Sequence, residues 1–124
     1  TEIAENQSDV NKIYGMSDFG VRHQKYSIRL GWRYIRGEIQ LCWLRHEEGR
    51  HSSGTIRTIE LDEIYNAVIN ITTFYYQVVI DGDTTFIRRR PEGNWGLIRR
   101  YYLYPYFGGN EYAPHDITIR IKNL

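Results

Sequence analysis

From Tyr26 the chain alternates. Tyr26, Ile28, Leu30, Trp32 and Tyr34 fall on one side of an extended segment, and Ser27, Arg29, Gly31 and Arg33 on the other. Successive side chains of a strand point to opposite faces, so this pattern specifies a half-buried strand with its aromatic and aliphatic side against a core. A helix would scatter the same five apolar residues around its circumference. The pattern recurs along the chain. "RGEIQLCWLRH" follows a turn at Arg36-Gly37 and keeps Ile39, Leu41 and Trp43 in phase. "EEGRHSSG" reads as a loop and "TIRTIEL" as the next strand. "IYNAVINIT" and "FYYQVVID" are β-branched and aromatic, and "DGDT" after them is a hairpin turn. "TFIRR", "GLIRRYYLYPYF" and "HDITIRIKNL" complete the set, and no window carries an apolar stripe at helical period. Short strands closed by turn signals at roughly 8–12 residue intervals predict an all-β, single-domain antiparallel two-sheet β-sandwich. Residues 1–11 are expected to be an N-terminal tail and 12–124 the sandwich domain.

With 124 residues, 41% of them apolar and 25% charged, the composition is that of one globular domain. No run reaches the roughly 18 apolar residues that a membrane-spanning helix needs. A net charge of +1 argues against a nucleic-acid binder that relies on a strong basic field. Only Lys12, Lys25 and Lys122 among the 16 basic residues are lysines. Arginine suits oxyanion acceptors such as carboxylate or sulfate, although compositional bias gives the same excess. Cys42 is the single cysteine, so no internal disulfide forms. Inside "EIQLCWL" it acts as a small hydrophobe; His46 would lie roughly 13 Å away on an extended strand, too far to polarise it. "TEIAENQSDV" shows no secretory leader and reads as a mature or trimmed start, which leaves secretion open.

The segment "IYNAVINITTFYYQVVIDGDTTFIRR" resembles the paired central strands of concanavalin-like and laminin-G-like jelly rolls, in which two strands are followed by an Asp-Gly turn and a return strand. "YSIRLGWRY" and "GEIQLCWLRH" fit the preceding strand pair, and "YYLYPYFGGNEYAPHDITIRI" resembles the closing strands of small secreted bacterial sandwich proteins. The resemblance spans residues 12–124 and implies a jelly-roll topology.

Several constellations invite a chemical reading. "HEEGRH", His46 to His51, has its histidines five apart, whereas a zinc-protease helix needs four. A solvated hairpin tip or a weak surface metal site remain, and no metal is assigned. Asp81 and Asp83 flank Gly82, but one loop does not supply the six or more oxygens calcium takes. Asn6 and Asn70 match the glycosylation pattern only. Arg88, Arg89 and Arg90, with Arg99 and Arg100, form either a charged sheet edge or a cradle for an anion. His115 is in phase with Ile117, Ile119 and Ile121, as a buried structural histidine would be, and Asp116 points the other way.

In "RRYYLYPYF" parity puts Arg100, Tyr102, Tyr104 and Tyr106 on one side and Arg99, Tyr101, Leu103 and Phe107 on the other, the better core side. Two functional readings follow. The first is a non-catalytic carbohydrate-binding module for acidic polysaccharide, secreted, periplasmic or at the cell surface. Its ligand-binding residues are Arg29, Arg33, Gln40, Tyr102 and Tyr104, with no catalytic residue and no cofactor. The second is a small polysaccharide lyase. Jelly-roll lyases of the alginate type have an Arg-rich first strand and a late Tyr-rich strand; Arg29, Arg33, Gln40 and the tyrosine run resemble these. The chain departs at Gly31, where an acidic residue is expected, and it lacks a Gln-x-His pair. A structural or protein-interacting domain is a third reading, because aromatic sheet faces also mark partner surfaces.

Overall fold

A computed structural model of the chain describes residues 10–17, 26–89, 101–103 and 118–122. Eight strands run through them: β1 (Asn11–Ser17), β2 (Tyr26–Ile35), β3 (Glu38–Glu47), β4 (Arg50–Ile59), β5 (Ala67–Ile71), β6 (Tyr75–Ile80), β7 (Asp83–Arg88) and β8 (Tyr101–Leu103). They form two antiparallel sheets, one of five strands in the order β4-β3-β2-β1-β8 and one of three in the order β5-β6-β7.

Three of the connections are two-residue turns with both residues at positive φ: Arg36 (53°) and Gly37 (75°), Glu48 (52°) and Gly49 (78°), Asp81 (47°) and Gly82 (88°). Turns of this hand match the right-handed twist of the strands they join, and the glycine takes the second position at no steric cost. The middle one corrects the reading of "EEGRHSSG" as a loop. Only Glu48 and Gly49 turn, and Arg50 to Gly54 are already paired with β3. Polar side chains do not keep a segment out of a sheet when a tight turn delivers its backbone to a ladder partner.

β1 was not signalled by alternation, and its register explains why. A bulge between Lys12 and Tyr14 leaves Ile13 with no residue opposite it on β2. A second bulge leaves Ile56 of β4 unopposed where Leu41 pairs with Arg57 and Cys42 with Thr55. An extra residue shifts the inward–outward phase by one, so period two fails across both strands. Ile13 and Ile56 both pack against the core.

That core is shared by the two sheets. Ile28, Leu30 and Leu41 of the large sheet meet Tyr76, Val78, Ile80 and Ile87 of the small one. Trp32 is buried as the alternation of β2 requires. Val10 and Asn11, at the start of the described chain, are buried as well. Toward the C-terminus, β8 takes only Tyr101 to Leu103 of "GLIRRYYLYPYF"; the rest of that segment lies outside the described residues. Residues 118–122, expected in a strand, are exposed and unpaired with any described strand. An alternating pattern makes a strand only where a neighbour accepts its backbone groups.

Candidate ligand-binding face

Parity sends the odd residues of β2 and the even residues of β3 to the face of the large sheet turned away from the small one, where Ser27, Arg29, Cys42 and Leu44 are nonetheless buried. There Ser27 pairs with His46, Arg29 with Leu44, Gly31 with Cys42 and Arg33 with Gln40. β4 adds His51, Ser53, Thr55 and Thr58 opposite His46, Leu44, Cys42 and Gln40. The bulge at Ile56 is what puts Thr55 and Thr58, three apart in sequence, on the same side.

Arg33, Gln40 and Thr55 close a ring of hydrogen bonds. Arg33 Nε donates to Gln40 Oε1 at 2.9 Å and Arg33 Nη2 to Thr55 Oγ1 at 3.0 Å. The Thr55 hydroxyl donates in turn to Gln40 Oε1 at 3.2 Å. Gln40 Oε1 therefore accepts two bonds, and its Nε2 amide is turned away from the arginine. Arg33 and Gln40 are half-buried and Thr55 is exposed. The ring uses both acceptor sites of Gln40 Oε1 and one of Thr55 Oγ1, and it leaves Arg33 Nη1 and Gln40 Nε2 as donors. Such an edge favours an anionic acceptor.

Cys42 lies beneath this ring. Burial pushes its thiol above the ordinary range, against smaller opposing effects of the Arg33 charge and a hydrogen bond with Thr55. It remains a protonated thiol near neutrality, and Sγ lies 3.6 Å from the Gln40 carbonyl oxygen.

The sequence-derived site is thus gathered in part. Arg33 and Gln40 are in contact. Arg29 is on the same face by register, yet it is only 4% exposed and does not line an open surface. Tyr102 is paired through its backbone with Met16 of β1. Tyr104 lies outside the described residues. Thr55 was missed, because the phase shift at Ile56 hides it from period-two reading.

A second surface stands out on the outer face of the small sheet. Phe74 and Phe86 are each 61% exposed, with Tyr75 at 46% and Val68 at 50%. The Tyr75 and Phe86 rings meet edge to face, their centroids 5.9 Å apart. Asn70 and Gln77 pair beside them.

Among the described residues no group of three or more His, Cys, Asp or Glu is placed to hold a metal ion. No described helix is long and apolar enough to cross a membrane. No protein-family model, curated protein or solved structure matches the chain.

Proposed function

We propose that the chain is a β-sandwich binding module of the jelly-roll, concanavalin-like kind, and that it takes an acidic carbohydrate on the outer face of its large sheet. On this reading it works outside the cell or at its surface, where such polymers are met. The observation that carries the proposal is the Arg33–Gln40–Thr55 ring. A guanidinium held by two neighbours loses less side-chain freedom on binding, and its remaining fork matches a carboxylate or sulfate. The Gln40 amide and the Ser53 hydroxyl along the same face suit sugar hydroxyls, while the Thr58 hydroxyl donates to Glu38 Oε2 at 3.4 Å.

Binding is preferred to a lyase for two reasons. A Cβ at Gly31 would collide with the Asn11 carbonyl oxygen and the Val10 side chain, so the acid expected between the arginines in a lyase has no room. Gln40 and Thr55, the two side chains that Arg33 touches, do not titrate near neutrality, and proton abstraction needs a base within hydrogen-bond reach.

Titration calorimetry with uronate and neutral oligosaccharides tests the reading. Arg33→Ala should weaken uronate binding by about 1.5–3 kcal/mol, the usual range for a hydrogen bond to a charged group, and change neutral-sugar binding far less. Equal losses for both sugars contradict it, and so does release of unsaturated product from a uronate polymer. The exposed Phe74, Tyr75 and Phe86 favour a second reading, a protein-interaction domain. Phe86→Ser separates the two, because it should leave uronate binding by the large sheet intact.

A further inference from the structure

The spacing that rules out a zinc-protease helix in "HEEGRH" is the right one for a two-residue hairpin. Glu48 and Gly49 form the turn, Glu47 pairs with Arg50, and His46 then stands directly opposite His51. The pair flanking such a turn exchanges both backbone hydrogen bonds. The next pair is therefore the close, non-hydrogen-bonded kind, with Cα atoms about 4.5 Å apart and side chains on one face. The two imidazole rings accordingly lie with centroids 6.1 Å apart and planes inclined at 49°.

We propose that His46 and His51 form a two-histidine site for a divalent transition metal that prefers imidazole, copper(II) above nickel(II) and zinc(II), with water in the remaining positions. A cation bound about 2.0–2.1 Å from one nitrogen of each ring would sit roughly 3.2 Å from each centroid. For the roughly 90° angle between neighbouring positions of a tetragonal copper(II) the centroids would then be roughly 4.5 Å apart, so side-chain rotations that close the rings by about 1.6 Å complete the site. The preference among metals follows the general order of affinity for nitrogen ligands.

A second observation points the same way. Ser27, fully buried on the neighbouring strand, has its Oγ 3.3 Å from His46 Nδ1. With metal on Nε2, Nδ1 carries the proton and donates it to Ser27 Oγ. A partner of this kind fixes the tautomer and the ring direction of a metal-binding histidine. Leu44 and Ser53, the same-face neighbours along the β3–β4 ladder, are uncharged, while Arg29, two residues from Ser27 on β2, brings a positive charge to that face. Three side chains therefore have distinct parts, two ligands and the positioning hydroxyl of Ser27, and the Gly49 backbone turn sets the register. The site does not depend on sugar binding at Arg33.

Copper(II), nickel(II) and zinc(II) titrated into the full chain, with calorimetry and copper electron paramagnetic resonance, test this. The expected result is one high-affinity equivalent per chain, tightest for copper, with a resonance signal split by two imidazole nitrogens. His51→Ala should lower copper affinity about a hundredfold, within the range gained by holding two donors on one scaffold. His51 is exposed, so its removal should leave the melting temperature unchanged. Ser27→Thr, which keeps the hydroxyl, should retain more affinity than Ser27→Ala. The chain has four histidines. Undiminished copper binding in the double variant His46→Ala, His51→Ala would place the metal elsewhere and overturn the proposal. A signal from a single nitrogen in the unmodified chain would overturn it too.

Discussion

A Cβ added to Gly31 would meet the Asn11 carbonyl oxygen and the Val10 side chain, neither of which can step aside without lifting the buried start of β1 from β2. Gly31→Ala should therefore cost about 1–3 kcal/mol, as overpacking of a tight contact does, and chemical denaturation with urea measures it. An unchanged midpoint would show that β1 yields freely there. The same closeness explains the composition of the outer face. Arg33 stands beside a glycine because the crossing chain leaves no volume, and its guanidinium turns instead to Gln40 and Thr55. Parity alone placed Arg33 and Gln40 on one face. It also placed Arg29 there but said nothing of burial, since alternation gives the direction of a side chain and not what lies over it.

At the scale of single strands, β2 and β3 were legible from apolar residues in phase, and β5, β6 and β7 from their β-branched and aromatic residues between turn signals. β1 was not, and of β4 only the second half, in "TIRTIEL", was; in each, one bulged isoleucine, Ile13 or Ile56, reverses the phase part-way along. The Arg36-Gly37 and Asp81-Gly82 turns were read from sequence, and a hairpin tip was read between His46 and His51, but not that Glu48-Gly49 alone makes the turn. Its geometry is nevertheless the same, with Gly49 at a φ of 78°. Gly49→Ala should cost about 1–2 kcal/mol, the strain of a Cβ in the left-handed region, although nothing lies within 4 Å of the added atom. Equilibrium unfolding checks the sum. A neutral outcome would mean that the turn adopts another form, and His46 and His51 would then lose their register.

Across the whole molecule, one core joins the sheets through Ile28, Leu30 and Leu41 on one side and Tyr76, Val78, Ile80 and Ile87 on the other. The two-sheet, all-β architecture was legible because burying one side of each strand requires a second layer to cover it. The partner of the late tyrosines was not. β8 pairs with β1, and the register of that pair, Tyr102 opposite Met16, is written in neither strand alone. What the packing leaves outward is a polar patch at the Arg33 end of the large sheet, with Arg33, Gln40 and Thr55 as its fixed point, and an aromatic face on the small one. Amide chemical-shift mapping during titration with a uronate oligosaccharide distinguishes the two faces in a single measurement. The predicted shifts gather at Arg33, Gln40, Thr55 and Thr58, with saturable behaviour that Arg33→Ala weakens. Shifts centred on Tyr75, Gln77 and Phe86, or none at saturating sugar, would contradict a carboxylate-binding face on the large sheet.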